Sequence, residues 1–284
     1  MKSVIKRLVL TLPCICLPLY AAPKAKDVFK LDQKILFQDD FQSGSVTRWG
    51  ISEDDRYNLA ANTPARLDVV DAPGLAGKKA VRFFVPRAPD SFRAEISLPH
   101  EQGFQERWYA GRILIPKDWV IERHSKGNDI VMQWHAIPGK GKATFPNLEI
   151  SVGGDSWYIR RSFGTALENP TRSNDKLADP IQPGTWVSWV LHAKWSPKED
   201  GLIRIWKDGK VVYEKTGPNV YGDIGVEYTP YLKSGIYHPE WHLDKDRKRA
   251  AFEADKPDAL SKTIYGTDYR VASGAATYEE VAPK

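Results

Sequence analysis

From Ile35 onward, apolar and polar residues alternate in short runs broken by Gly, Pro, Asn and Asp. A period of two marks half-buried strands. It predicts strands over 79–85, 92–97, 108–115, 129–135, 147–152, 156–163, 186–195, 202–206, 211–214 and 231–237. Lys207-Asp208-Gly209-Lys210 joins two of these runs, and Asp-Gly readily takes the positive φ angles of a two-residue hairpin turn. A helical period is suggested only over 244–261, rich in Lys, Asp, Ala and Arg. The last run, 268–282, is expected to return as an outer strand or to cover a sheet edge. No repeat or low-complexity tract interrupts the pattern. Strands this frequent predict an all-β sandwich or jelly roll.

The first residues follow another pattern. Lys2, Lys6 and Arg7 precede an apolar run, Leu8 to Tyr20, and then Ala21 and Ala22. This reads as a secretory signal peptide over 1–21, too short in its apolar part to span a bilayer stably. A linker is expected over 22–34 and a single domain over 35–284. Export places the protein in the periplasm or outside a bacterial cell, with no membrane contact after cleavage. Both cysteines, Cys14 and Cys16, lie in the leader, so the exported chain has no disulfide and no thiolate chemistry.

The leader also changes the charge. The whole chain carries +5, but losing three basic residues leaves 38 basic against 36 acidic, a net of +2. Global charge therefore gives no reason to expect a nucleic-acid partner, and polyanion affinity must be local. The chain is expected to be monomeric. Its 10 Trp, 12 Tyr and 10 Phe exceed what a core tends to need and offer platforms for sugar faces.

Strand alternation separates core from chemistry in three places, because residues i and i+2 share a face. Over 92–96, Phe92, Ala94 and Ile96 point one way, and Arg93 and Glu95 the other. Taken alone, that pair is a solvated ion pair or a clamp in which Glu95 fixes a carboxylate-binding guanidinium. Over 130–135, Gln133 and His135 share a face opposite Met132 and Trp134. Over 231–237, Tyr231, Lys233 and Tyr237 share a face on which Gly235 leaves room for a ligand or another chain.

In this order, Arg93-Ala94-Glu95, Gln133-Trp134-His135 and Tyr231-Leu232-Lys233-Ser234-Gly235-Ile236-Tyr237 resemble the motifs of the jelly-roll polysaccharide lyases. The likeness is to heparin lyase I and glucuronan lyase, and more distantly to alginate lyases of the same fold, over about residues 35–282. Trp134 and Leu232 depart from the residues usual in alginate lyases and favour a glucuronan- or heparin-like polymer. The resemblance implies a concanavalin A-like jelly roll with a concave groove, an acidic polysaccharide substrate, and β-elimination at a 4-linked uronic acid.

Such a reaction removes a weakly acidic C5 proton beside a carboxylate and builds a dianionic enolate. It needs donors to the carboxylate, a base for C5 and an acid for the leaving O4. The resemblance implies Gln133 and Arg93 as neutralisers and Tyr237 as the acid, with Lys233 and Arg93 able to lower the phenol's pKa. Tyr237 could be base and acid in turn if both leaving groups lie on one side of the sugar, and His135 the base if they do not. The scheme requires no metal or other cofactor; a structural calcium stays open. Tyr231, Glu95, Asn147, Arg160 and His238 are candidates to contact substrate. Two alternatives compete: a glycoside hydrolase, which needs paired carboxylates, and a non-catalytic glycan-binding module.

Overall fold

Alternation becomes two layers in the computed structural model, which describes residues 28–49, 65–88, 91–99, 101–122, 128–136, 145–164, 169–222, 228–242 and 258–284. In chain order the strands are β1 (Ile35–Asp39), β2 (Arg66–Asp71), β3 (Lys79–Pro86), β4 (Arg93–Ser97), β5 (Glu101–Gln102), β6 (Glu106–Leu114), β7 (Asp129–His135) and β8 (Leu148–Gly153). They continue as β9 (Ser156–Phe163), β10 (Thr171–Pro180), β11 (Trp186–Lys194), β12 (Leu202–Lys207), β13 (Lys210–Thr216), β14 (Tyr228–Thr229), β15 (Tyr231–Tyr237) and β16 (Ser261–Ser273), and a short helix, α1 (Tyr278–Val281), follows.

Among the described residues, one sheet of six strands runs β10-β9-β8-β7-β15-β4. A sheet of eight runs β13-β12-β11-β6-β16-β3-β2, with β1 paired to the second half of β16. The expected Asp-Gly hairpin is present: Lys207 pairs with Lys210, and Asp208 and Gly209 both have positive φ.

Between the sheets lies one core. The six-stranded sheet contributes Ala94, Ile96, Met132, Trp134, Leu148, Ile150, Leu232 and Ile236; Val81, Phe83, Ile113, Trp189, Ile205 and Ile264 come from the other. Full burial of such large apolar side chains stabilises by about 1.5–3 kcal/mol each. Seven tryptophans, Trp49, Trp108, Trp134, Trp157, Trp189, Trp195 and Trp241, are buried. Most of the tryptophan content thus builds the interior, where the composition had suggested sugar platforms.

Two expectations change and a third goes untested. The final run is no outer strand: β16 lies between β6 and β3, and α1 packs beyond it against Trp108 and Val190. The linker expected over 22–34 already carries a core residue, Phe29, edge-on to Phe37. The helix expected over 244–261 falls outside the described residues up to 257, and β16 begins at Ser261.

Candidate active site

Because β15 lies between β4 and β7, the three polar stretches become neighbours. Tyr237 pairs with Arg93, Gly235 with Glu95, Lys233 with Gln133, and Tyr231 with His135. Directly opposed residues of an antiparallel pair share a face. All seven side-chain-bearing residues therefore lie on the side of the six-stranded sheet that faces away from the core.

Gly235 makes the close pairing possible. Its φ is +143°, and a Cβ there would collide with the Ala94 carbonyl oxygen and the Glu95 Cα. The room that Gly235 was expected to leave is thus taken by the backbone of β4. A register shift between Ser234 and Tyr237 marks the same place, and such a bulge re-aims the side chains that follow it.

Glu95 is the hub. It is buried, accepts a 2.5 Å hydrogen bond from Gln133 Nε2, and its Oε2 lies 3.0 Å from Arg93 Nε and 3.5 Å from Lys233 Nζ. Burial pushes its carboxyl up, but the charges of Lys233 and Arg93 and the Gln133 bond outweigh that and hold it below the usual range. One anion thus orients an amide and two cations. Arg93 also places its Cζ 4.4 Å from the centre of the Tyr237 ring, so the phenol is tied to the same cluster.

Tyr237 does not behave as the sequence suggested. Burial raises its phenol above the ordinary value; Arg93 pulls the other way, while Glu95 and Glu149 add to the rise. The resting phenol keeps its proton, which suits an acid. His135 sits two residues beyond Gln133 on β7, half-buried, with its ring 6.3 Å from that of Tyr231. The Gln133–Lys233 rung therefore stands between His135 on one side and Tyr237 on the other.

The sheet extends the face. Glu149 on β8 is opposite Gln133, and Arg160 on β9 is opposite Glu149, with Nη1 3.3 Å from Oε2. Arg160 in turn pairs with Asn174 on β10, and Arg172, two residues away on that strand, stacks 3.9 Å from the Phe145 ring. At about 4.8 Å per strand, these six strands make a strip roughly 24 Å wide, with basic groups at both ends.

The sequence pattern of the polysaccharide lyase family matches residues 41–257. The chain belongs to that family. It is similar in structure to the endo-β-1,4-glucuronan lyase of the fungus Trichoderma reesei, with a TM-score of 0.63 at 19% identity over 88% of this chain and 99% of that one. Similarity to an alginate lyase of Pseudomonas aeruginosa has a TM-score of 0.46 at 15% identity, over 68% of this chain and 82% of the other. No curated protein sequence matches the chain. The fold is the jelly roll of such lyases, and family membership decides for a lyase over the hydrolase and the binding module.

Two candidates for substrate contact in this lyase have other work. Asn147 is buried: its Oδ1 accepts from Ala136 N, and its Nδ2 donates to the carbonyls of Ser162 and Asn219. It precedes β8, so strand alternation did not govern it, and it joins three segments instead. His238 directly follows Tyr237 and so turns to the opposite side, toward the second sheet. There Nδ1 lies 2.7 Å from Asp129 Oδ1, and Lys262 Nζ lies 3.0 Å from Asp129 Oδ2 and 2.9 Å from Glu122 Oε2. Among the described residues, Glu122, Asp129 and His238 have the spacing of metal ligands. The ammonium of Lys262 already bridges the two carboxylates.

Glu149 and Arg172 were missed as site residues. Glu149 was readable, since it alternates with the apolar Leu148 and Ile150 and so turns outward. Arg172 was not, because β10 is a largely exposed edge strand without apolar alternation. His192 belongs to the other sheet, stacked 4.1 Å from Trp108 and bonded to Glu106.

Proposed function

We propose that this lyase cleaves a 4-linked polyuronate by β-elimination, with a glucuronate polymer favoured, in the periplasm or outside the cell after removal of residues 1–21. The observation that carries the reading is the cluster in which Glu95 holds Gln133, Arg93 and Lys233 together and Arg93 holds Tyr237. A sugar carboxylate over Gln133 and Arg93 meets donors oriented before it arrives. Their bonds strengthen as negative charge grows in the enolate, which lowers the barrier.

In this scheme burial, by raising the Tyr237 phenol, disfavours it as the base, so His135 takes the C5 proton even where C5–H and O4 share a side, and Tyr237 gives its phenolic proton to O4. The electrons of the C5–H bond form the C4–C5 double bond while the C4–O4 bond breaks. The products are a chain with a 4,5-unsaturated uronate and one with a free O4 hydroxyl; solvent exchange returns the two proton carriers to their starting states. His135 and Tyr237 rise from one face of one sheet, so both reach the sugar from the same side. That suits uronates whose C5 hydrogen and O4 share a side, as in glucuronate. Gln133 and the cations carry out the neutralisation, so the scheme uses no metal.

The test is a panel of uronate polymers incubated with the full chain. Glucuronan should yield ultraviolet-absorbing unsaturated oligomers faster than guluronate-rich alginate or heparin. New reducing ends without that absorbance would overturn the reaction, and faster cleavage of heparin or alginate would overturn the substrate.

A further inference from the structure

Glu149 is not used by the reaction, yet it lies within the site. Glu95, the neighbouring acid, is held by three groups. Like Glu95 Oε2, Glu149 Oε2 is buried without a hydrogen-bond partner among the described residues, but where Glu95 has two cations and an amide beside it, Glu149 has Arg160 Nη1 at 3.3 Å, outside hydrogen-bonding geometry. Its position is awkward for an anion. Strand register sets it between Gln133, proposed to meet the uronate carboxylate, and Arg160, the next cation along the strip. Ionised, it would repel an arriving carboxylate and compete with it for Arg160. Neutral, it can donate a hydrogen bond and leaves the guanidinium available.

The surrounding charges are Arg160 on β9, Arg172 on β10, and Glu95 beyond Gln133; the phenols of Tyr221 and Tyr237 also feel Glu149. Burial dominates, the two arginines oppose it, and Glu95 adds to it, so the Glu149 carboxyl is pushed up to about 7. A second carboxylate brought against such a group raises it further, because two like charges in one site cannot both ionise cheaply.

We propose that Glu149 is a substrate-binding residue that works as the neutral acid, taking a proton from solvent as a uronate carboxylate arrives and releasing Arg160 to it. This rests on the polyuronate reading of the same site. The chemistry it recognises is the carboxylate of a sugar beside the one cleaved. A pH dependence of binding, separate from that of turnover, follows directly.

The experiment is calorimetric titration of a glucuronate oligosaccharide onto the full chain carrying Tyr237→Phe, to suppress turnover, at pH 8 in buffers of different ionisation enthalpy. Binding should take up close to one proton. Adding Glu149→Gln should abolish the uptake and tighten binding at pH 8 roughly tenfold, since a group with pKa near 7 is about nine-tenths ionised there; at pH 5.5 the two proteins should bind alike. Equal proton uptake in both, or weaker binding by Glu149→Gln at pH 8, overturns the assignment. If proton-linked binding is found but the unsubstituted chain makes no unsaturated product, the elimination fails and the role of Glu149 stands. If the oligosaccharide does not bind, both fail.

Discussion

At the residue scale, the site is organised by one buried carboxylate. Glu95 is surrounded by Lys233, Arg93 and Gln133 at 2.5–3.5 Å, and the attraction of two cations outweighs the cost of burying it. For the proposed elimination this order means preorganisation: the donors are in place before negative charge appears on the sugar. Tyr237→Phe removes one ionisable oxygen and almost no packing. It should abolish turnover while changing oligosaccharide affinity by less than about threefold. Gln133→Ala should lower kcat by about 100-fold or more through loss of an enolate donor. Steady-state kinetics alongside binding of an uncleaved oligosaccharide checks both; near-normal elimination by Tyr237→Phe would remove it as the acid.

At the scale of strands, β15 is the organising element, because it pairs with both β4 and β7 and ends beside the second sheet. Its polar face bears the site, and the next residue, His238, fastens its end to Asp129 on β7, near Lys262 on β16. Burial pushes the Asp129 carboxyl up, but the hydrogen bond and charge of His238 and the charge of Lys262 outweigh it and hold the carboxyl low. Asp129→Asn should therefore destabilise the fold by about 3 kcal/mol at pH 7, since it removes the buried anion that His238 and Lys262 share and leaves Lys262 with Glu122 alone. A depressed carboxyl stabilises above its unfolded value of 3.8 and loses that contribution as pH falls through its folded value. The difference between the two proteins should shrink in acid. Urea unfolding at pH 7 and pH 3 measures it, and a gap independent of pH would contradict the pairing.

At the scale of the whole molecule, the core separates two surfaces. One carries the site. Beyond the other sheet, Val281 of α1 is buried with Trp108, Ala110, Val190 and Ala272, and Arg270 Nη1 donates to the carbonyls of Glu280 and Val281. Val281→Ala removes two methyl groups from that cluster and should cost about 2 kcal/mol. As the cluster lies beyond the sheet opposite the one that carries the site, kcat and KM well below the melting temperature should match the parent. A loss of activity without a loss of stability would show that the two surfaces are coupled.

The sequence by itself determined the strands that alternate, their turns, and which side chains each strand turns away from the core. Those facts depend on neighbours two to four residues apart, and Arg93, Glu95, Gln133, His135, Lys233 and Tyr237 could be read from them. Tertiary structure decided the rest. Only packing shows β16 to be central and the tryptophans to be interior. Only strand register sets Glu149 between Gln133 and Arg160, and only burial raises the Tyr237 phenol above its ordinary value. His238 and Asn147 were misread because each lies just outside a strand, where local alternation ends and contacts from distant segments determine what a side chain meets.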